Sequence, residues 1–320
     1  MFFSVIVPVY NRPDEVEALL KSLENQGYSR FEVVVVEDGS SISSKSVCDA
    51  FKGNIELKYI YQDNQGQGFA RNTGMKSAMG DFFVILDSDV VLPNRYLEIL
   101  SDEIRKRNLD AFGGPDAAAE DFSPMQKAMD YAMTSFWTTG GIRGKLKDRS
   151  KFQARGFNMG FSRKVFELLH GFIDPNRGED IELSIRIKKA GFKLELVPEA
   201  WVYHKRKNTW VTFAKQAFSF GENRVNVSRY HPEAIRLVHT LPSFFVLFLA
   251  TFLIAVFFLP QLTGYFSFLL TTWVIFVFFD ASWRFGSAWI GGLALICSLT
   301  QLIAYGSGFA LAIFHKAARG

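Results

Sequence analysis

Phe3-Ser4-Val5-Ile6-Val7-Pro8-Val9 is an apolar run that ends abruptly in Tyr10-Asn11-Arg12-Pro13. A strand with one wet face alternates apolar and polar residues. One that stays apolar along its length is buried on both faces, as in a parallel sheet. Downstream, 13–23 places Val16, Leu19, Leu20 and Leu23 at helical spacing. Residues 31–36 read as a second buried strand running into Glu37-Asp38-Gly39-Ser40, and 57–61 as a third. Residues 67–79 read as a helix, and 81–86 as a fourth strand ending in Asp87-Ser88-Asp89. Alternation at this interval suits βαβ crossovers and predicts an α/β fold with a mainly parallel, doubly wound, Rossmann-like sheet. Ligands of such sheets bind beyond the carboxyl ends of the strands. The polar clusters Tyr10-Asn11, Glu37-Asp38-Gly39-Ser40 and Asp87-Ser88-Asp89 stand at those ends.

The first residues carry no basic segment before their apolar run, so they read as this buried strand and not as a signal peptide. The 320 residues are 48% apolar, with 36 Lys and Arg against 32 Asp and Glu, an ordinary balance until it is located. From 241 to 314 the formal charges are Asp280 and Arg284 alone. The front is a charged globular sequence and the back is compatible with hydrocarbon. That excludes a wholly soluble protein, a disordered chain and a disulfide-stapled module. Cys48 and Cys297 fall in different parts, so no structural disulfide is expected between them.

A spanning helix takes about 20 apolar residues. Uncharged runs at 241–259 and 262–279, divided by Pro260-Gln261, predict a helical hairpin. A third run, 285–314, predicts a span over 287–312 and holds Gly291-Gly292 and Gly306-Ser307-Gly308, small residues that let helices approach closely in lipid. Arg236 and Arg284 flank the hairpin on one side, which by the positive-inside rule puts the N-terminal domain in the cytoplasm. Three crossings then send His315-Lys316-Ala317-Ala318-Arg319 to the far side, against the same rule.

Two further stretches stand out. Residues 140–149 are glycine-rich and basic, as a loop would be. The segment 206–240 is a basic amphipathic element in which Lys215, Arg224, Arg229 and Arg236 accompany Trp210, Phe213, Ala217, Phe218 and Phe220. Directly before a span, such a helix is expected to lie in the membrane interface. Interleaved aromatics and cations also occur in nucleic-acid binding, but the adjacent spans account for both features, and no nucleic acid partner is expected.

Asp87-Ser88-Asp89 offers two hard oxygen donors at a strand end. If strand geometry persists, both face one side, as Mg²⁺ or Mn²⁺ bridging phosphate oxygens requires. Glu37-Asp38-Gly39-Ser40 reads either as a turn and helix cap or as a site where Asp38 binds a base and ribose. Gly178-Glu179-Asp180 opens an amphipathic helix, where an acid can complement the helix dipole or act as a general base. His204 is a candidate imidazole ligand.

Val5-Ile6-Val7-Pro8-Val9-Tyr10-Asn11-Arg12, Glu37-Asp38-Gly39-Ser40, Ala70-Arg71-Asn72, Asp87-Ser88-Asp89 and Gly178-Glu179-Asp180 follow one another in an order and spacing that resemble family 2 glycosyltransferases. Gly156-Phe157-Asn158-Met159-Gly160-Phe161 and Gly171-Phe172-Ile173-Asp174 resemble that family's acceptor region. The resemblance covers 1–205, and the tail is similar to that of membrane-anchored members building bacterial surface polysaccharides. It implies a GT-A fold and inverting transfer from a nucleoside diphosphate sugar to a lipid-linked or polysaccharide acceptor at the inner membrane. In this sequence it implies Pro8, Tyr10, Asp38, Arg71 and Asp87 around the nucleotide. Asp89 and Asp87, with His204, would hold a divalent Mn²⁺ or Mg²⁺, and Asp180 would be the base. Asn158, Met159, Glu179 and Gln216 would lie towards the acceptor. Transfer to a polyprenyl phosphate is an alternative product class. His170 departs from the pattern, since a glycine commonly precedes Gly-Phe. The Gln-x-x-Arg-Trp signature of processive synthases is missing, leaving Gln216 and a later Arg224. Among rivals, a nucleotidyltransferase would want a glycine-rich basic loop where Tyr10-Asn11-Arg12-Pro13 stands. An inactive scaffold would tolerate loss of Asp38, Asp87, Asp89 and Asp180, which are all present. A channel or transporter would want more ionisable groups in its spans.

Overall fold

A computed structural model describes residues 1–117, 122–140, 152–204 and 209–318, apart from the side chains of Ala117 and His204. The chain divides into two compact units, 1–119 with 148–205 and 120–147 with 206–320. The second unit therefore takes in 120–147, which sequence order alone groups with the first.

The first unit is built on a seven-stranded sheet. Its strands are β1 (Phe3–Val9), β2 (Phe31–Asp38), β3 (Leu57–Gln62), β4 (Phe82–Leu86), β6 (Ala111–Gly113), β8 (Asn158–Ser162) and β9 (Leu194–Leu196), in the order β3-β2-β1-β4-β8-β6-β9. β1 pairs in parallel with β2 and β4, β2 with β3, and β6 with β9. β8 is antiparallel to both β4 and β6. The expected mainly parallel sheet is present, and β8 is an insertion that the alternation did not announce. β5 (Val90–Val91), β7 (Asp116–Ala117) and β10 (Val202–His204) form a second small sheet.

Why β1 reads apolar throughout is visible in its packing. Phe3, Val5, Val7 and Val9 join one core with Val16, Leu19, Leu20 and Leu23 of helix α1 (Pro13–Glu24) and Leu97, Leu100 and Ile104 of α4 (Tyr96–Arg107). Ile6 points the other way, into a core with Ala70 and Met75 of α3 (Gln67–Ser77), Val165 of α7 (Arg163–Leu169) and Leu183 and Ile187 of α8 (Glu179–Lys189). Ser4, the one polar residue of the strand, donates to buried Glu32 at 2.6 Å and accepts from Gly80 N–H, so its burial leaves no unmet polar group. α2 (Lys45–Phe51) completes the β2–β3 crossover.

Local boundaries differ from expectation for physical reasons. β2 continues through Glu37 and Asp38 because their backbones keep pairing with β3. β4 stops at Leu86, and Asp87-Ser88-Asp89 turns, with Val90 N–H reaching Asp87 O at 3.4 Å. The strand geometry on which the expected alignment of the two aspartates depended therefore does not persist. His170 takes a left-handed conformation, φ 59°, as the residue closing α7, which explains a preference for glycine there.

The second unit is helical: α5 (Pro124–Thr134), α6 (Phe136–Thr139), α9 (Trp210–Tyr230), α10 (Leu237–Phe258), α11 (Pro260–Phe285) and α12 (Ala288–Ala317). The last three are long and apolar enough to cross a membrane. Pro260 is not a turn residue but the first residue of α11, where a missing N–H is harmless. α11 runs past the expected end at 279 because its charges are satisfied by α5. Tyr131 OH donates to Asp280 at 2.6 Å, and Arg284 lies 3.4 Å from Asp130. Small residues do permit close helix contacts. A Cβ on Gly306 would stand 2.4 Å from Pro242 O of α10, and one on Gly308 would stand 2.3 Å from Phe218 O of α9. α9 therefore buries Phe213 and Ala217 within its own unit, while Trp210 stays exposed and donates to Thr300 Oγ1 at 2.8 Å. Part of the face expected to meet lipid headgroups is covered by protein. The stretches 141–151 and 205–208, including most of the basic loop and Lys205-Arg206-Lys207, lie outside the described residues. Cys48 and Cys297 are both buried free thiols.

Candidate active site

The first unit collects its unusual polar residues at the carboxyl ends of β1, β2 and β4. At the end of β2 the two acids separate. Glu37 is fully buried and accepts from Ser44 N–H at 2.9 Å, from Ser43 Oγ at 2.9 Å and from Tyr59 OH. Burial pushes its carboxyl up, but these hydrogen bonds outweigh that and hold it below the usual carboxylate range. Glu37 is therefore the helix-capping acid of the pair. Asp38 accepts from Gln62 Nε2 at 2.7 Å, Gln65 N–H at 2.9 Å and Gly66 N–H at 2.8 Å. Its carboxylate fastens the loop leading into α3, so any base contact must share oxygens already engaged.

At the end of β1, Pro8 is buried in the sheet and Tyr10 is 53% exposed, a ring open to a planar ligand. Asn11, with φ 57°, accepts from Ser41 N–H and Ile42 N–H, both at 2.8 Å, and orders the loop after β2. The sequence carried a signal for it, since Asn tolerates the left-handed region better than most residues. Arg12 Nη1 lies 2.8 Å from Asp89 Oδ2 and 3.2 Å from Glu15. Burial lowers the Arg12 pKa, but the neighbouring carboxylates overcome this and leave it raised.

Arg71 is the centre of the site. Its guanidinium is 1% exposed, donates through Nη2 to Asp87 Oδ1 at 2.8 Å and through Nη1 to Glu179 Oε1 at 2.9 Å, and lies over the Phe172 ring. A buried cation keeps its charge only when paired. Here Asp87 and Glu179 more than offset the burial, and the pKa stays raised. Asn72 beside it exchanges hydrogen bonds with the backbone of Phe172, donating at 2.7 Å and accepting at 2.9 Å. The Ala70-Arg71-Asn72 motif thus joins α3 to the segment that precedes α8.

Glu179 and Asp180 open α8 and point apart, as successive helical residues should. Glu179 is buried and also accepts from Gln67 Nε2 at 2.7 Å. Burial, helped by the Asp180 charge and opposed by Arg71, raises its pKa to about 7. Asp180 is partly exposed; Oδ2 accepts from Gly156 N–H at 3.2 Å and Oδ1 from Ile181 N–H at 2.7 Å. Gly156 is obligatory there, since a Cβ would stand 2.5 Å from Arg71 Nη2. Asp87, Arg71, Gly156 and Asp180 therefore form one contiguous line.

The acceptor-region expectations fare differently. Asn158 and Met159 are wholly buried in β8. Asn158 accepts from Tyr96 OH at 2.6 Å and donates to Ala200 O at 2.8 Å, which makes it a sheet fastener with nothing to offer an acceptor. Glu179 is likewise committed inward. Gln216 is exposed on α9, in the second unit. For a metal, no group of three or more His, Cys, Asp or Glu side chains is assembled among the described residues. Asp87 and Asp89 nonetheless fit Mg²⁺ or Mn²⁺, hard cations that complete their shells with water and substrate phosphate. The backbone of His204 pairs with Val90, next to Asp89; its side chain lies outside the described residues.

The comparisons with known proteins bear on family and fold. The sequence model described as "Glycosyl transferase family 2" matches residues 4–169. Putative glycosyltransferase EpsH of Bacillus subtilis is 30% identical over 55% of the chain and 51% of its own length. Glycosyltransferase AglE of Haloferax volcanii is 27% identical over 75% of the chain and 78% of its own length. The chain spans about half of EpsH and 16% of glycosyltransferase GlyA of Streptococcus pneumoniae, to which it is 37% identical over 108 residues. Among solved structures, the mannosyltransferase PcManGT of Pyrobaculum calidifontis, in complex with GDP-Man and Mn²⁺, has a similar fold. The TM-score is 0.69 at 18% identity, over 98% of this chain and 87% of that one. TarS 1-349 of S. aureus in complex with UDP gives 0.52 at 16% identity, over 98% and 92%.

Proposed function

The chain belongs to glycosyl transferase family 2, and from that premise we propose that it transfers a sugar from a nucleoside diphosphate sugar to a membrane-associated acceptor, with inversion. The observation that carries the reading is the contiguous line from Asp87 through Arg71 to Asp180. It joins a strand end suited to a diphosphate to a partly exposed carboxylate suited to an acceptor hydroxyl. The solved neighbours in complex with GDP-Man and UDP support the donor class.

In this reading Tyr10 and Asp38 receive the nucleoside, and Asp87 and Asp89 face the diphosphate. A divalent cation held by Asp89 and Asp87, with His204 the further candidate ligand from the sequence, would neutralise charge on the leaving diphosphate. Asp180 takes the proton from the acceptor hydroxyl as that oxygen attacks the anomeric carbon. One base and no covalent intermediate give inversion. α10, α11 and α12 cross the inner membrane and keep the acceptor lipid-linked or otherwise bound to the surface, with Arg236 and Arg284 on the cytoplasmic side.

The test is turnover by the full chain in lipid, with a panel of nucleotide sugars and either a lipid-linked sugar or a polyprenyl phosphate. Release of nucleoside diphosphate that requires both donor and acceptor is expected for one pairing. Donor binding with no acceptor-dependent release for any pairing would overturn the transferase reading.

A further inference from the structure

α6 is a single helical turn that carries Phe136, 70% exposed, and Trp137. It rests on the middle of α11. Trp137 stacks on Phe276 with centroids 4.7 Å apart and planes 10° from parallel, and Trp137 O accepts from Trp273 Nε1 at 3.0 Å. The depth of this contact follows from helix geometry. Residues 260–279 are the uncharged length of α11, about one hydrocarbon thickness, and Asp280 marks its charged boundary. At about 1.5 Å per residue, Phe276 lies roughly 6 Å and Trp273 roughly 10 Å inside that boundary.

The segment enters and leaves at that boundary. Tyr131 of α5 meets Asp280, and Asp130 and Thr134 meet Arg284 at 3.4 and 3.3 Å. Beyond α6, a Cβ on Gly140 would stand 2.8 Å from Val238 Cγ2, in the first turn of α10. That turn is level with Asp280 in an antiparallel hairpin. Five backbone N–H groups and two hydroxyls on the way are met internally. The N–H groups of Ser135, Trp137, Thr138, Thr139 and Gly140 bond to Tyr131 O, Ser135 Oγ, Ser135 O, Ser135 O and Phe136 O, and both threonine hydroxyls bond to backbone carbonyls. Irregular chain tolerates hydrocarbon only when its polar groups are so satisfied, whereas a loop facing water has no such need.

We propose that residues 135–139 form a shallow re-entrant wedge that carries Phe136 into the acyl layer of the bilayer. The inference rests on reading α10–α12 as membrane spans and adds a lipid contact from a part of the chain that precedes them by a hundred residues.

The test places an environment-sensitive NBD probe on the full chain in phosphatidylcholine–phosphatidylglycerol vesicles, at Phe136→Cys, at Leu247→Cys in mid-α10 and at Met79→Cys in the first unit. All three positions are exposed and the native cysteines are buried, so labelling is selective. The 136 probe should be quenched by acyl-chain doxyl lipid about threefold or more above the 79 probe, and protected from iodide, as for a group at interfacial depth. Iodide quenching at 136 equal to that at 79 would overturn the wedge while a lipid-quenched 247 upholds the spans. Protection from both quenchers at 136 would overturn it too, in favour of a protein cover such as a second copy. A 247 probe open to iodide would refute the spans and the wedge together.

Discussion

Arg12 occupies Asp89: its Nη1 stands 2.8 Å from Oδ2, across 77 residues of sequence. The acid proposed to hold a divalent cation is already paired with the chain's own guanidinium, so a cation bound there would compete with a side chain as well as with water. Asp87 is in the same position with Arg71.

This competition has a measurable sign. Arg12→Gln removes the rival cation at a partly exposed pair, worth about 1 kcal/mol at most. Mn²⁺ binding, read by loss of the free-ion EPR signal, should therefore tighten by up to about fivefold. Asp89→Asn should weaken the same binding and lower transfer by orders of magnitude. Unchanged Mn²⁺ affinity in Asp89→Asn would remove this residue from the metal site.

Asp180→Asn separates the base from the cap. An asparagine Oδ1 can still accept from Ile181 N–H, so the fold should persist. Transfer should fall about 10²- to 10⁴-fold, the range for a lost general base. Donor affinity should change little. A folded mutant transferring sugar near the parent rate would eliminate Asp180 as the base.

Glu179 gives stability a pH dependence. Its folded pKa, about 7, stands above the ordinary 4.5. The native state therefore holds a proton that the unfolded chain releases, and the stabilisation present below pH 4.5 is lost as pH rises to about 7. The swing is on the order of 3 kcal/mol at most. Glu179→Gln mimics the neutral form, so its melting temperature relative to the parent should rise across that window and then level off. A difference independent of pH would show that Arg71 fully compensates the buried charge.

Gly308 sets the approach of α9 to α12. A valine there would drive its Cβ into Phe218 O, now 2.3 Å from that position. Overpacking of this kind costs about 1–3 kcal/mol. Gly308→Val should lower the detergent-solubilised melting temperature and speed proteolysis in α9. Gly292→Val, where nothing lies within 4 Å, should do neither.

The sequence made the strands legible because burial on both faces leaves a mark at every residue, as in Phe3–Val9. It made the apolar helices legible because hydrocarbon admits few charges. The acids of the site were found because they follow those strands directly. Their partners were not found. Glu37 and Asp38 look alike as neighbours, yet one caps α2 and the other fastens the loop before α3, a distinction set by which side of β2 each faces. Asn158 was placed towards an acceptor because Gly156-Phe157-Asn158-Met159-Gly160-Phe161 resembles the family's acceptor region. It proved to be buried, because β8 inserts antiparallel between β4 and β6.

By itself, then, the sequence determined the βα alternation, the apolar helices and the acids at the strand ends, all written in periodicities a few residues long. The tertiary structure decided that Arg12 holds Asp89, that Arg71 bridges Asp87 and Glu179 across 16 and 108 residues, and that 124–139 docks on α11. Such pairings have no local period. They arise because a charge or hydroxyl removed from water must find its partner wherever the chain brings one within 3 Å.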